Sequence, residues 1–155
     1  MSKIYLFDWG DTLMIDFPGI PGKMCDWEKV AAVDGAKETL KALSVNSKLY
    51  IATGAAQSTV SEIEAAFSRV GLSRYLSGYF CKANLGIEKG SPDFFRHILL
   101  QLGKRPEDVI VVGDSLNKDI IPAMAAGINA VWLSREKAAA VPKNIRVIRS
   151  LKELC

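Results

Sequence analysis

Residues 4–12, Ile4-Tyr5-Leu6-Phe7-Asp8-Trp9-Gly10-Asp11-Thr12, decide the fold. An apolar run ends abruptly in a carboxylate, a glycine, a second carboxylate and a hydroxyl. The run is too short for a helix and too close to a turn, so Ile4 to Phe7 is predicted as a buried strand of a parallel sheet. Asp8 then falls at the carboxyl end of that strand, where open α/β sheets place their ligands. A carboxylate there is costly unless it is paired or bound to a metal.

Downstream, the pattern alternates. Gly35 to Leu43 is predicted as a helix with Ala36, Leu40 and Leu43 on one face. Lys48 to Thr53 is a second strand, and Ser58 through Arg69 a second helix closed by Gly71. Tyr79 to Lys82 is a short third strand. Ser91 or Pro92 opens a helix running through Leu102, with Phe95, Ile98 and Leu99 inward. Val109 to Val112 is the most strand-like run and ends in Gly113-Asp114-Ser115. Lys118 to Ala126 is a small-residue helix, and Ala130 to Leu133 a further strand. Ile145, Val147 and Ile148 suit an edge strand, and Leu151 and Leu154 a final helical turn. Strands alternating with helices predict a three-layer, doubly wound parallel sheet, with residues 1–155 as one domain. Residues 14–34 stand apart. The turn formers Phe17-Pro18-Gly19-Ile20-Pro21-Gly22 make this segment an irregular loop, either pinned at the surface by Trp27 or folded over a substrate, with Met24 and Trp27 as its contacts.

Composition narrows the function classes. A net charge of +3, with Lys and Arg scattered along the chain, lacks the basic stripe of a nucleic-acid footprint. Cys25, Cys81 and Cys155 lie far apart and odd in number, so neither a disulfide framework nor a zinc site is indicated. No apolar run approaches membrane-spanning length and the N-terminus does not read as a signal peptide, so a cytoplasmic protein without membrane contact is expected. The lone His97 is expected on the solvent side of its helix, and Trp132 in strand packing.

Asp8 and Asp11, Thr53, Lys89, and Asp114 with Asp119 all fall at strand ends or in the loops after them, and a right-handed parallel fold gathers such ends on one rim. Carboxylates meeting a lysine and a hydroxyl suit a hard cation and a phosphate. In order and placement these motifs resemble the haloacid dehalogenase superfamily, most of whose members are Mg²⁺-dependent phosphatases. Phe7-Asp8-Trp9-Gly10-Asp11-Thr12-Leu13, Ile51-Ala52-Thr53-Gly54, Lys89-Gly90-Ser91-Pro92-Asp93-Phe94-Phe95 and Val112-Gly113-Asp114-Ser115-Leu116-Asn117-Lys118-Asp119 are similar to its four motifs.

The resemblance implies a Rossmann-like core and an aspartyl-phosphate formed on Asp8. It implies Thr53, Gly54 and Lys89 around the phosphoryl group, and Mg²⁺ held by Asp8, Asp114 and the Gly10 carbonyl. Asp119 and Ser115 would support them. The segments between motifs leave no room for a cap domain. Capless relatives have open sites that serve large phosphate esters or are covered by a neighbouring subunit of a homo-oligomer.

One position departs from the family. The second aspartate of the first motif, which serves as general acid and base, is here Gly10, with Asp11 one residue later as its candidate substitute. Acid–base help of this kind is worth about 10²–10⁴-fold in rate. The expected function is therefore a phosphomonoester phosphatase acting through Asp8 on a phosphorylated small molecule or a larger phosphate ester. The alternative is a phosphate- and Mg²⁺-binding interaction protein with weak turnover.

Overall fold

The computed structural model describes residues 3–135 and 145–155. Six strands form one parallel sheet: β1 (Ile4–Phe7), β2 (Lys48–Ala52), β3 (Gly78–Phe80), β4 (Val109–Gly113), β5 (Asn129–Leu133) and β6 (Arg146–Ile148). Their order is β3-β2-β1-β4-β5-β6. The chain winds outward from β1 in one direction and restarts at β4 in the other, so the topological switch lies between β1 and β4, where doubly wound sheets open a ligand crevice. Phe7 pairs with Ile51 on one side and Val112 on the other. This register sets Asp8 level with Ala52 and Gly113, and Thr53 and Asp114 one residue beyond.

Alternation along the strands splits the core in two. Phe7, Val112 and Val131 face a cluster built with α1 (Ala36–Leu43), α2 (Val60–Ser68) and Leu151 of the closing 3₁₀ turn. Leu6, Val111 and Ala130 face the opposite cluster, with α4 (Pro92–Leu102) and α5 (Ile121–Ala125). Both faces of the sheet are thus covered, which is why its central strands are continuously apolar. The short α3 (Lys82–Leu85) follows β3.

The elements differ from the sequence expectations in two places. Lys82 lies in α3 rather than in the third strand, because Asn84 caps Cys81 and turns the chain. The helix expected over Lys118 to Ala126 begins instead as a π turn, Leu116–Ile120. Pro122 has no N–H to offer the Lys118 carbonyl, so the preceding turn widens, with Ile120 N–H reaching Ser115 O and Ile121 N–H reaching Leu116 O.

Residues 14–34 form an irregular loop with one 3₁₀ turn, Met24–Asp26. Its two ends are paired: Met14 bridges Ala32, Ile15 N–H donates to Ala31 O, and Val33 N–H donates to Leu13 O. No cap domain interrupts the described residues between the motifs. Cys25, Cys81 and Cys155 are all free. No helix among the described residues is long and apolar enough to cross a membrane.

Candidate active site

The centre of the rim is Lys89, in the loop before α4. Its side chain is only 4% exposed, yet it is fully engaged. The ammonium donates to Asp8 Oδ1 at 2.9 Å and to the Ala52 carbonyl at 2.7 Å, and it pairs closely with Asp119. An ammonium has three N–H donors, and here each has an acceptor. Burial alone would pull the Lys89 pKa down. The facing carboxylates of Asp8 and Asp119 outweigh it and hold Lys89 above its ordinary value, so it stays charged.

Asp8 is the mirror case. Burial raises its carboxyl, but Lys89, with hydrogen bonds from Asp114 and Lys89, brings it below the usual carboxylate range. Asp114 has no cation of its own. Burial, a proton shared with Asp8, and the charges of Asp8 and Asp119 push it up to about 7. Asp119 is raised by burial and by Asp8 to about 6 despite Lys89.

An oxygen from each of Asp8, Asp114 and Asp119 lies within 4.8 Å of the others. Three carboxylates around one lysine leave excess negative charge, and oxygen donors are what a hard divalent cation takes. Asp119 is already committed to Lys89 and to the Ser115 N–H at 3.0 Å. Asp8 and Asp114 are therefore the pair open to a cation, and the donor set fits Mg²⁺.

The remaining expected residues divide. Thr53 is buried at the rim, its N–H on the Phe80 carbonyl and its Oγ1 accepting from the Ala55 N–H. Gly54 lies beside Lys89, and Gly10, Ser115 and Asp119 line the same cavity, of about 650 Å³. Asp11 does not line it. Asp11 takes a positive φ of 59°, its Oδ1 accepts the Asp16 N–H at 3.0 Å, and it borders a separate hollow with Ile15, Val33, Asp34 and Arg135. Asp16 lines the main cavity instead, and its carboxyl is raised by burial and by the charges of Asp11 and Asp8. His97 is exposed on α4, as expected.

Four contributors were given no site role from sequence. The buried Thr12 hydroxyl lies 3.2 Å from Asp114 Oδ1 and 3.4 Å from Asp8 Oδ2, joining the two carboxylates. Trp132, read only as strand packing, also donates its Nε1 proton to the Asp114 carbonyl at 3.1 Å. Gly113 makes room for Asp119, whose Oδ2 would lie 2.2 Å from a Cβ there. Arg69, at the end of α2, donates to the carbonyls of Met24, Cys25, Trp27 and Glu28, tying the 14–34 loop down. Only Thr12 carried a signal, as a hydroxyl four residues after Asp8.

Lys23 pairs with Glu62 at 2.7 Å, a second tether for the loop. Met24 and Trp27 are buried in the core beneath it and at the same time wall the cavity, so the loop is both pinned and part of the site.

A doubly wound sheet with paired carboxylates and a buried lysine at its switch point defines a class of hydrolase site suited to phosphate and a divalent cation. A family model for haloacid dehalogenase-like hydrolases matches residues 11–127, and the chain belongs to that family. Among curated relatives it is 38% identical over 65 residues to the phosphoserine phosphatase of Thermus thermophilus, covering 42% of this chain and 26% of that protein. It is 27% identical over 128 residues to the putative HAD-hydrolase YfnB of Bacillus subtilis, covering 79% and 52%. The chain thus spans about half or less of the length of these relatives. In fold it is similar to an uncharacterized protein from Listeria monocytogenes serotype 4b, with a TM-score of 0.80 at 23% identity, covering 98% of this chain and 94% of that one.

Proposed function

We propose that this chain is an Mg²⁺-dependent phosphomonoester hydrolase that works through an aspartyl-phosphate on Asp8. The observation that carries the reading is the Lys89–Asp8 pair. A carboxylate held ionised at the mouth of a cavity is a competent nucleophile, and the ammonium beside it offsets charge as the phosphoryl group arrives. Thr53 and the backbone at Gly54 bind phosphoryl oxygens, and Asp119 keeps Lys89 aimed at Asp8. Asp8, Asp114 and the Gly10 carbonyl would hold Mg²⁺, which when bound supplies Lewis-acid polarisation of the phosphoryl oxygens. Thr12 and Trp132 keep the Asp114 segment in place. Curated relatives named as phosphatases, and a magnesium-bound structure of YfnB, support the same reading.

The test is hydrolysis of a panel of phosphate esters with and without Mg²⁺, beside Asp8→Asn. Metal-dependent turnover that disappears in the variant is expected; turnover surviving in Asp8→Asn rules the mechanism out. Gly10 favours a second reading, a phosphate- and Mg²⁺-binding protein with weak turnover. Under that reading Mg²⁺ and a phosphate analogue bind tightly while every ester is left intact.

A further inference from the structure

Asp16 lies six residues beyond Gly10, yet the fold returns it to that position. Trp9 O accepts the N–H groups of Thr12, Leu13 and Met14, Asp11 N–H reaches Met14 O, and Gly10 bridges Met14. The chain therefore coils tightly on itself between residues 9 and 14. The Asp11 carboxylate then takes the Asp16 N–H at 3.0 Å. A Cβ built on Gly10 would come 3.3 Å from Asp16 Cβ and 3.5 Å from Asp16 Oδ2. The Asp16 carboxyl thus occupies the space where a side chain at position 10 would begin, and it faces the cavity that holds Asp8, Thr53 and Lys89.

We propose that Asp16 is the proton carrier of this site, supplying from across the turn the carboxyl that Gly10 lacks, with Asp11 as its positioning residue. The inference rests on the aspartyl-phosphate reading above. In the first half-reaction an Asp8 oxygen bonds to phosphorus, the bond from phosphorus to the leaving oxygen breaks with its electron pair going to oxygen, and the Asp16 proton passes to that oxygen to release an alcohol. In the second, a water oxygen bonds to phosphorus and its proton returns to the Asp16 carboxylate. The bond from phosphorus to Asp8 then breaks, with the pair returning to the Asp8 carboxylate. Phosphate leaves and Asp16 is again protonated.

The experiment uses a series of aryl phosphates from p-nitrophenyl to p-methoxyphenyl, with Asp16→Asn and the relocated-carboxyl variant Gly10→Asp/Asp16→Asn. A leaving group that is already a weak base needs no proton, so the Asp16→Asn defect should grow steadily along the series toward p-methoxyphenyl, reaching about 10²–10³-fold in kcat. The second half-reaction loses its base as well, so phosphorylated Asp8 should accumulate in Asp16→Asn with p-nitrophenyl phosphate, seen by intact mass. Gly10→Asp/Asp16→Asn should recover the shallow leaving-group dependence of the native protein. Mg²⁺ binding measured by calorimetry should be the same in the native protein and in Asp16→Asn.

A uniform defect across the series overturns the proposal. So does loss of Mg²⁺ binding in Asp16→Asn, which would make Asp16 a metal ligand. A silent Asp16→Asn beside a large loss in Asp11→Asn would hand the role to Asp11. Full turnover in Asp8→Asn would instead sink the underlying reading, whatever Asp16 does.

Discussion

The two halves of the cavity are built differently. On one side Asp8, Thr53, Asp114 and Lys89 sit at or beside strand ends, and the pairing of β1 with β2 and β4 sets their spacing. On the other side the 14–34 loop owes its position to side chains: Arg69 on four carbonyls, Lys23 on Glu62, and Trp27 Nε1 on the Gly22 carbonyl at 3.1 Å. Sheet register moves only in whole residues and flips every side chain when it does, so the strand-end half is rigid. A loop held by a few polar tethers is free to vary in shape without disturbing the sheet. Chemistry belongs to the first half and substrate choice to the second.

The sharpest way to break the strand-end half is Lys89→Met. It leaves Asp8 and Asp119 unpaired in a buried setting and should cost about 3–5 kcal/mol in denaturant unfolding at neutral pH. Turnover should drop by about 10²–10³-fold or more with loss of the positive charge beside the nucleophile. A native-like unfolding midpoint would show that the buried charges have another partner.

Metal and pH probe the same half. The Asp114 and Asp119 carboxyls are raised in the folded chain, from 3.8 to about 7 and about 6. A group raised in this way binds its proton more tightly when folded, so the metal-free protein should lose stability as pH climbs from about 4 toward 7. A bound cation favours the ionised carboxylates and reverses that loss. Mg²⁺ at about a hundred times its dissociation constant should therefore add about 2.7 kcal/mol. The rise in Tm should be larger near pH 8 than near pH 5, as thermal melts would show.

Gly113→Ala pushes a Cβ into the Asp119 carboxyl. Overpacking of this kind costs about 1–3 kcal/mol. Because Asp119 aims Lys89, kcat should fall while KM changes little. If stability falls and kcat does not, Asp119 has no positioning role.

Arg69→Ala tests the loop half. With several of its carbonyl contacts near the surface, a loss of about 1 kcal/mol is expected. KM should rise more than kcat falls, since the loosened loop carries Met24 and Trp27 but none of the strand-end groups. A kcat effect as large as that of Gly113→Ala would erase the distinction between the halves.

The sheet was legible because its signals are local. The apolar runs at β1, β2 and β4 end in polar residues, and Ser91-Pro92 announces α4 through the missing N–H that a first helical turn tolerates. The clustering of Asp8, Lys89, Asp114 and Asp119 followed from those ends and the handedness of parallel connections. The carboxyl beside Gly10 did not follow. Reading along an extended segment pointed to Asp11 as the nearest candidate, but a tight turn sends Asp11 out of the cavity and brings Asp16 in. The Arg69 tether and the Trp132 hydrogen bond had no local signature, since each joins residues distant in sequence through one side-chain donor and a backbone carbonyl.

Sequence alone therefore determined the doubly wound sheet and the residues on its rim, because strand periodicity and strand-end chemistry are properties of consecutive residues. Tertiary structure decided which carboxylates share a proton, which is tied to the lysine, and which stands beside Gly10. Those outcomes depend on distances of a few ångströms between side chains on separate turns, where Coulomb interaction and desolvation are set by the packed arrangement.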